Sequence, residues 1–343
     1  MPRLGVSSMA TIDEVATRAA VSKSTVSRAF NRPGSVNAAT RARVLEIASQ
    51  IGYQPPGLVS AASRQRTGNI GVIVPDTGNP YFQPLLKAVQ HEAVTQQSPL
   101  FMGASENDPE TEAEIARAMA RHVDGLLLVS SRMEESDIIA LAAEIPIVVV
   151  NREIAGIPGV LLPSGEGMVQ AVEHLVALGH RQIAYLAGPR RFLSSIERLD
   201  ALRAAARQLE VEVVELGPFQ PSFAAGQRAT DLVLSTECTA VIAFNDLTAL
   251  GLMTRAAELG VVVGRDLSVI GFDGLWLAEI SSPPLTTVAA PVSEAGTAAA
   301  RELFKALSGR TTGSHHRLPA DLIVRSSTGP ALPRQQRLPG RRL

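Results

Sequence analysis

The chain has 343 residues, 45% of them hydrophobic, so it is long enough for two or three domains with sizeable cores. The formal net charge is −1, and no apolar run is long enough to cross a membrane. The single cysteine, Cys238, excludes an internal disulfide and fits a reducing cytoplasm. The first residues lack the apolar core of a signal peptide, and translation can start at Met1 or Met9. We therefore expect a cytoplasmic protein.

The small net charge hides a strong asymmetry along the chain. Residues 1–68 contain nine Lys or Arg and three Asp or Glu, whereas the remainder contains 23 basic and 30 acidic residues. A basic head on an acidic body fits a head that contacts phosphate and a body that does not.

The segment TIDEVATRAAVSKSTVSRAFN, residues 11–31, predicts two short helices separated by a break. The first helix has apolar residues at the spacing of one face, namely Ile12, Val15, Ala16 and Ala19. Thr11 and Glu14 occupy capping-box positions at its start. Ser22 is a good N-cap for the second helix.

The second helix has a polar, cationic outer face. Its inner face holds Val26, Ala29 and Phe30, and its outer face holds Lys23, Ser24, Ser27 and Arg28. A helix that enters the major groove of DNA needs small side chains for close approach and donors for base edges and phosphates. The pattern therefore favours a helix-turn-helix that binds DNA, although an ordinary helical hairpin with a solvated face has a similar pattern.

A third helix is predicted between Asn37, a suitable N-cap, and Gly52, a natural C′ residue. With this helix, the chain resembles the lactose-repressor/galactose-repressor family of bacterial transcription regulators. The resemblance lies in the pieces TIDEVATRAAVS, TVSRAFN and SVNAATRARVLEIASQIGYQP. It implies an all-α DNA-binding domain over residues 9–56.

The resemblance implies that Lys23 and Ser24 contribute to the choice of operator, and Arg28 is well suited to a guanine edge. Thr25, Ser27 and Asn37 are expected at phosphates. The full set of predicted DNA-contacting residues is Thr11, Ser22, Lys23, Ser24, Thr25, Ser27, Arg28, Asn31, Asn37, Tyr53 and Arg64.

Residues 57–68 are predicted to form a hinge or linker. In the family, the matching segment is a short helix that inserts a leucine pair into the minor groove. Ala62 stands where the wedge leucine is expected, and alanine is too small to unstack a base step well. The sequence thus predicts a weak central kink, with Arg64 and Arg66 available to phosphates, or else a flexible tether.

From Asn69 onwards, short apolar runs alternate with helical patterns, as in parallel sheets covered on both faces. The predicted strands are Ile70–Val74, Pro99–Gly103, Gly125–Val129, Pro146–Val150, Gln182–Ala187, Ala240–Phe244, Ser268–Phe272 and Leu318–Val324. The predicted helices are Tyr81–Thr95, Pro109–Arg121, Glu134–Glu144, Glu166–Leu178, Leu193–Leu209, Ser222–Leu234, Asp246–Leu259 and Ser293–Leu307.

The resemblance continues through this body in GNPYF, VDGLLL, AVEHLVALGHRQIAYLAGP, ERLDALRAA, AFNDLTALG, LSVIGFD and SPPLTTV. It implies a two-lobed, periplasmic-binding-protein-like α/β body of doubly wound parallel sheets. The body spans residues 69–328 and both binds the effector and forms the dimer. The expected lobes are 69–162 plus 290–317, and 163–289 plus 318–328. The basic, proline-rich tail 329–343 is predicted to be disordered, and its lack of leucine heptads favours a homodimer over a tetramer.

In doubly wound sheets, ligands bind beyond the carboxyl ends of the strands. The predicted ligand-binding residues lie after strands or near them, and they are Asp76, Tyr81, Phe82, Ser130, Asn151, Arg198, Phe219, Asn245, Asp273 and Trp276. By resemblance, Arg198, Asn245 and Asp273 match positions that hydrogen-bond effector hydroxyls. Phe219 and Trp276 are candidates to cover a sugar face, or else they belong to a core or an interface.

No catalytic, cofactor or metal motif is evident: the chain lacks a P-loop, G-x-S-x-G and a paired-cysteine motif. His174 and His180 are expected to pack or cap a helix, and His315 and His316 are placed in a loop. We therefore expect no enzyme activity, no cofactor and no metal.

These features together predict a repressor whose affinity for a near-palindromic, double-stranded operator is switched by a small effector. The effector can be a polyol, a sugar, a sugar phosphate or a nucleobase. Alternatives are a solute-binding protein, which the basic head argues against, and an enzyme on the same fold. An activator or a nucleoid-type binder is a further alternative.

Overall fold

A computed structural model describes residues 11–31, 36–51, 66–310 and 315–332. The chain forms two compact units, residues 1–66 and residues 67–343. Several predictions lie outside the described residues. They concern the residues before Thr11, the hinge up to residue 65 with Tyr53 and Arg64, the side chain of Asn31, and the tail beyond residue 332.

The described part of the first unit contains the three predicted helices. They are α1 (Ile12–Arg18), α2 (Lys23–Asn31) and α3 (Ala38–Ile51). Their shared core is made of small aliphatic side chains, namely Val15, Ala16, Ala19, Val26, Ala29, Val44 and Ala48. The capping box at the start of α1 is present, because Thr11 Oγ1 accepts from Glu14 N and Glu14 Oε2 accepts from Thr11 N.

The first six-stranded sheet of the second unit is entirely parallel, with the order β11-β5-β4-β3-β1-β2. Its strands are β1 (Ile70–Val74), β2 (Leu100–Ala104), β3 (Gly125–Val129), β4 (Ile147–Val150), β5 (Gly159–Leu161) and β11 (His315–Arg317). We call the layers around this sheet the first lobe.

The second six-stranded sheet has the order β12-β10-β9-β8-β6-β7 and is parallel except for β12, which runs antiparallel to β10. Its strands are β6 (Gln182–Leu186), β7 (Glu212–Leu216), β8 (Ala240–Ala243), β9 (Ser268–Phe272), β10 (Thr286–Ala289) and β12 (Asp321–Ile323). We call the layers around this sheet the second lobe. The predicted α/β class with parallel sheets is confirmed.

Helices cover both sheets. They are a 3-10 turn at Pro80–Phe82 followed by α4 (Gln83–Thr95), α5 (Pro109–Met119), α6 (Glu135–Ala142), α7 (Gly165–Ala177), α8 (Leu193–Gln208), α9 (Phe223–Leu234), α10 (Asp246–Glu258), α11 (Leu277–Ile280) and α12 (Val292–Leu307). After β10, the chain returns to the first lobe, where α12 packs on α4. There it buries Ala295, Ala299 and Leu303 against the strands of the first sheet. Glu92 of α4 and Arg301 of α12 form an ion pair with an N–O distance of 2.8 Å.

Three sequence predictions need correction. His315 and His316 lie in strand β11 rather than in a loop, paired in parallel with β5. The last strand begins at Asp321 rather than at Leu318, because Leu318 N bonds Leu161 O of the first lobe. Gly329 was expected to begin a disordered tail, but it is ordered. The N–H of Gly329 donates to Ser268 Oγ, and the carbonyl of Gly329 accepts from the same hydroxyl.

Candidate functional site

Helix α2 is held at its start by a serine cluster. Ser22 Oγ accepts a hydrogen bond from Thr25 N at 3.1 Å and lies 2.8 Å from the hydroxyls of both Ser24 and Thr25. Arg41 of α3 donates from Nε to Ala29 O, which ties the end of α2 to the third helix. These contacts fix the orientation of the outer face of α2.

The outer face of α2 is polar and cationic in the structure. Val26 and Ala29 are fully buried, whereas Lys23, Ser24 and Arg28 are exposed. Thr25 and Ser27 are half-buried beside them. The face therefore offers exposed cations and small hydroxyl side chains, which are the groups that a helix needs for close approach to a DNA groove.

The two cations of this face have weak local partners. Lys23 Nζ lies 2.5 Å from Asp13 Oδ1, but both side chains are mostly exposed, so the pair contributes little stability. Arg28 Nε donates to Ser24 O at 3.2 Å, one turn back along α2. Lys23 and Arg28 can therefore exchange these local contacts for contacts with another molecule.

Asn37 caps α3, because its Oδ1 accepts a hydrogen bond from Ala39 N at 2.9 Å.

The second unit has a cleft at the carboxyl ends of its parallel strands. In the first sheet, the chain adds β2 on one side of β1 and β3 on the other, so the strand order reverses at β1. In the second sheet, it reverses in the same way at β6, which lies between β7 and β8. Such switch points are where doubly wound sheets bind ligands. The cleft is lined by Asp76, Asn79, Tyr81, Phe82, Asn107, Ser130, Arg132, Asn151, Phe192, Ser194, Arg198, Pro221, Phe244, Asn245 and Asp273.

Four polar residues of the cleft have a left-handed backbone that residues other than glycine rarely adopt. The φ angle is +61° at Asn107, +47° at Ser130, +60° at Asn151 and +111° at Asp273. The last three directly follow a strand. Each such conformation costs about 1–3 kcal/mol and clusters at functional sites. Their coincidence at one cleft indicates that it is a functional site.

Arg198 is the most heavily tethered side chain of the cleft. It is 92% buried, and its Nη2 lies 3.5 Å from Asp273 Oδ1. Its Nη1 donates to Phe244 O at 2.5 Å and its Nε to Ser164 Oγ at 3.4 Å, while its guanidinium lies 4.4 Å from the ring centroid of Phe272. These contacts hold its position before any ligand arrives.

Burial dominates the electrostatics of the acidic end of the cleft. Burial raises the pKa of Asp273 to about 7, although the Arg198 guanidinium beside it lowers it. Burial, together with the charge of Asp273, raises the pKa of Asp246 well above its ordinary value. Asp246 accepts hydrogen bonds from Thr287 Oγ1 and from Leu275 N. Burial and the charge of Asp273 raise the pKa of Tyr81, so its hydroxyl is neutral and can donate.

Asn245 is positioned by its role as the N-cap of α10. Its Oδ1 accepts from the backbone N–H of Thr248 at 3.0 Å and from the hydroxyl of the same residue at 2.7 Å. Its Nδ2 lies 3.5 Å from Pro221 O, at the limit of a hydrogen bond. The amide donors are therefore the part of Asn245 that a ligand can use.

Eight of the predicted ligand-binding residues line the cleft, but Phe219 and Trp276 do not. Phe219 follows the edge strand β7 and packs against the apolar cluster that contains Leu186. Trp276 precedes α11 and is 59% exposed. Pro221, two residues further along the same loop, does line the cleft.

Sequence reasoning missed seven lining residues, which are Asn79, Asn107, Arg132, Phe192, Ser194, Pro221 and Phe244. Most lie a few residues beyond a strand end rather than directly after it. Arg132, for example, lies three residues after the end of β3. Extending the search to the whole loop after each strand finds most of this set.

Comparison with known proteins identifies the family. A model described as bacterial regulatory proteins, lacI family, matches residues 11–56, and a periplasmic binding protein-like domain matches residues 172–328. The transcriptional repressor CytR of Escherichia coli (strain K12) is 34% identical over 331 residues, which cover 93% of this chain and 96% of that protein. The chain belongs to the lacI family.

Solved structures agree with this assignment. The lac repressor dimer bound to operator and the anti-inducer ONPF has a TM-score of 0.68 at 27% identity, covering 94% of this chain and 100% of that chain. A LacI family regulator from Enterococcus faecium with bound ribose has a TM-score of 0.70 at 28% identity. The match covers 76% of this chain and 99% of that chain. This lacI-family protein is therefore a DNA-binding transcription regulator. Within its described residues, no helix is long and apolar enough to span a membrane.

The raised pKa of Asp273 predicts a pH signature for this lacI-family regulator. Between about pH 4 and pH 7, the unfolded carboxyl is ionised while the folded one stays protonated. The contribution of Asp273 to the free energy of unfolding therefore falls as pH rises through this window, by at most about 1.4 kcal/mol per pH unit. It is constant above pH 7 to 8.

The Asp273→Asn variant removes this titration, so the free energy of unfolding of the parent minus that of the variant should fall as pH rises from 4.5 to 7. Urea unfolding at several pH values measures it. The matched control is Asp231→Asn, which makes the same change at an exposed carboxylate of α9 outside the cleft. A pH-independent difference for Asp273→Asn would contradict the prediction.

Proposed function

We propose that this chain is a cytoplasmic, homodimeric repressor, without enzyme activity, that reads a near-palindromic operator under the control of a polar effector. The observation that carries the proposal is the exposed, cationic outer face of α2, joined in one chain to a polar cleft with a strained backbone. The names of its relatives support it, since they include CytR and a ribose operon repressor from Halalkalibacterium halodurans.

In the proposed complex, α2 enters the major groove of each half-site. Lys23, Ser24 and Arg28 contact base edges, and Arg28 donates two hydrogen bonds to one guanine. Thr25 and Asn37 contact phosphates, where their hydroxyl and amide groups fix the register of the helix. Two heads related by a two-fold axis read two half-sites, as the dimeric lac repressor structure bound to operator supports.

The cleft holds the effector in this proposal. Arg198, Asn245 and Asp273 hydrogen-bond its hydroxyls from the second lobe, because a planar fork, an amide and a carboxyl are complementary to vicinal hydroxyls. Asp76 and Asn151 contact it from the first lobe. Structural neighbours with ribose and with cellobiose support a sugar-like effector.

The small volume of the cleft supports a change in the arrangement of the two lobes when the effector binds. Its volume is about 60 Å³, whereas ligand pockets typically measure about 300–1,000 Å³, so an effector requires a wider arrangement of the two lobes. A ligand shifts the protein towards the arrangement that it binds better. A coupling of about 1–3 kcal/mol between the cleft and the operator is enough for a useful switch.

The proposed domain division places the DNA-binding head at residues 9–56, the linker at 57–68 and the two-lobed body at 69–328. The sheets support this division, since β5 and β11 complete the first sheet and β12 completes the second. The linker then transmits the arrangement of the lobes to the heads.

The proposal is tested by mixing the purified protein with fragmented DNA from its own source at near-physiological salt and sequencing what it retains. A short set of sites that share a near-palindrome is expected. Broad retention without a common motif would mean that the head binds phosphate only, and the proposed operator recognition would be wrong.

A further inference from the structure

Arg132 lines the cleft, and its side-chain donors have no hydrogen-bond acceptor among the residues that the structure describes. Its backbone N–H donates to Glu112 Oε2 at 2.7 Å, which anchors the loop after β3. Its guanidinium, however, forms no ion pair or hydrogen bond with any described residue, and its Nε is buried without a partner. Partly buried guanidinium groups normally pair with an acceptor. Glu112 Oε1 is also buried without a partner but does not bond the guanidinium, which can therefore bind an acceptor that enters the cleft.

The aromatic contact of Arg132 does not satisfy these donors. The guanidinium carbon lies 3.7 Å from the ring centroid of Phe192, which belongs to the second lobe. Stacking of this kind uses the flat face of the guanidinium and leaves its N–H edge available for a second partner. Phe192 therefore orients the fork of Arg132 across the cleft.

The surroundings of Arg132 are cationic. Arg152 reaches the same loop, where its Nη1 donates to Ser131 O at 3.3 Å and to Met133 O at 2.5 Å. Arg191 approaches from the second lobe and donates to Asn107 O at 3.2 Å. Burial, together with the charges of Arg191 and Arg152, lowers the pKa of Arg132 to about 10, although the carboxylate of Glu112 raises it.

Arg132 and Arg198 contact different rings of the cleft. Arg132 lies over Phe192, the Arg198 guanidinium lies 5.0 Å from the ring centroid of Phe244, and the two ring centroids are 6.5 Å apart. Arg198 already has Asp273 as a partner, which compensates its charge when that carboxyl is ionised. The cleft thus has one part suited to hydroxyls and another part where the guanidinium of Arg132 forms no ion pair within the described residues, although the carboxylate of Glu112 lies nearby.

We propose, on the basis of the proposed effector site, that the effector carries an anionic group, a phosphate or a carboxylate, that binds the guanidinium fork of Arg132. Its hydroxyl-bearing body lies against Arg198, Asn245 and Asp273. Arginine presents two parallel N–H groups that match such oxyanions, and a charge-assisted bidentate pair is stronger than hydrogen bonds to a neutral hydroxyl. Neutral sugars then bind more weakly than their acidic counterparts.

The first test uses inorganic phosphate as the probe. The intact protein is titrated with phosphate at constant ionic strength and pH 8, and the midpoint of thermal unfolding is followed. A saturable rise is expected, with at least a tenfold loss of apparent affinity in Arg132→Met and a smaller loss in Arg132→Lys. The control Arg121→Met removes an exposed arginine of the first lobe and should behave like the parent. No saturable rise in the parent, or equal responses in the parent and Arg132→Met, would overturn the inference.

The second test compares matched ligands by calorimetry: ribose with ribose 5-phosphate, and glucose with glucose 6-phosphate and gluconate. At least one acidic member should bind about tenfold more tightly than its neutral partner, and Arg132→Met should abolish this preference. Operator binding is measured in parallel. A neutral sugar that binds as tightly as its acidic partner and changes operator affinity would overturn the inference and leave the proposed function intact. Failure to select any operator would instead count against the proposed function.

Discussion

The Arg28→Ala variant is expected to bind its operator about 1–3 kcal/mol more weakly than the parent and to lose its preference at one base pair. Arg28 is exposed on the outer face of α2, and its Nε donates to the carbonyl of Ser24 in the same helix. The buried side chains below it, Val26 and Ala29, are unchanged by the substitution. The loss should therefore appear in DNA binding and not in the stability of the head.

Two control variants separate base reading from charge. Arg28→Lys keeps the charge but not the planar fork, so it should retain phosphate attraction and lose base preference. Arg18→Ala removes an exposed cation at the end of α1, and its effect should be similar for all DNA sequences. Affinities are measured for the operator and for each single-base variant of it. If Arg28→Ala binds all of them as tightly as the parent, the assignment of Arg28 to a base is wrong.

The long, regular elements could be predicted from the sequence because their patterns are local. Strands β1, β3 and β9 begin and end at the predicted residues, since each is a continuous apolar run with buried residues on both faces. The second and third helices of the head could be located from their caps, Ser22 and Asn37. In these places, the local pattern and the tertiary structure favour the same answer.

The short strands could not be predicted in the same way. Strands β5 and β11 have three residues each, and β11 reads His-His-Arg, with no apolar pattern. Its pairing with β5 depends on the return of the chain after α12, which no local window of sequence contains. Edge strand β7 reads Glu-Val-Val-Glu-Leu and has no fully buried residue, so it lacks the continuous apolar run of a central strand.

The cleft likewise contains residues that the sequence predicts and contacts that it does not. Asp76, Ser130, Asn151 and Asp273 were predicted to lie together because the carboxyl ends of parallel strands meet at one edge, and all four line the cleft. Their contacts with a ligand remain predictions. The stacking of Arg132 on Phe192 joins two lobes and depends on how closely the lobes approach, which the sequence pattern does not encode.

The Arg198→Met variant is expected to lose the effector response while keeping the operator affinity of the ligand-free parent. Methionine fills similar apolar space but removes the fork that bonds Phe244 O and pairs with Asp273. Above pH 7, where Asp273 of the parent is ionised, breaking one side of a buried ion pair typically costs about 3–5 kcal/mol of folding stability. Operator titrations with and without effector measure the response, and urea unfolding measures the stability. A fully responsive variant would show that the effector does not contact Arg198.

The cost of Arg198→Met should depend on pH, and this dependence distinguishes loss of the ion pair from loss of packing. Arg198 lowers the pKa of Asp273, so its removal raises that pKa above the parent value of about 7. Below pH 7, the folded carboxyl is protonated in both proteins, and the variant loses only hydrogen bonds and ring contacts. Above pH 7, the parent no longer loses stability from this group while the variant still does, so the difference should grow. In the background of Asp273→Asn, the pH dependence should vanish, whereas a packing defect alone would give the same cost at every pH.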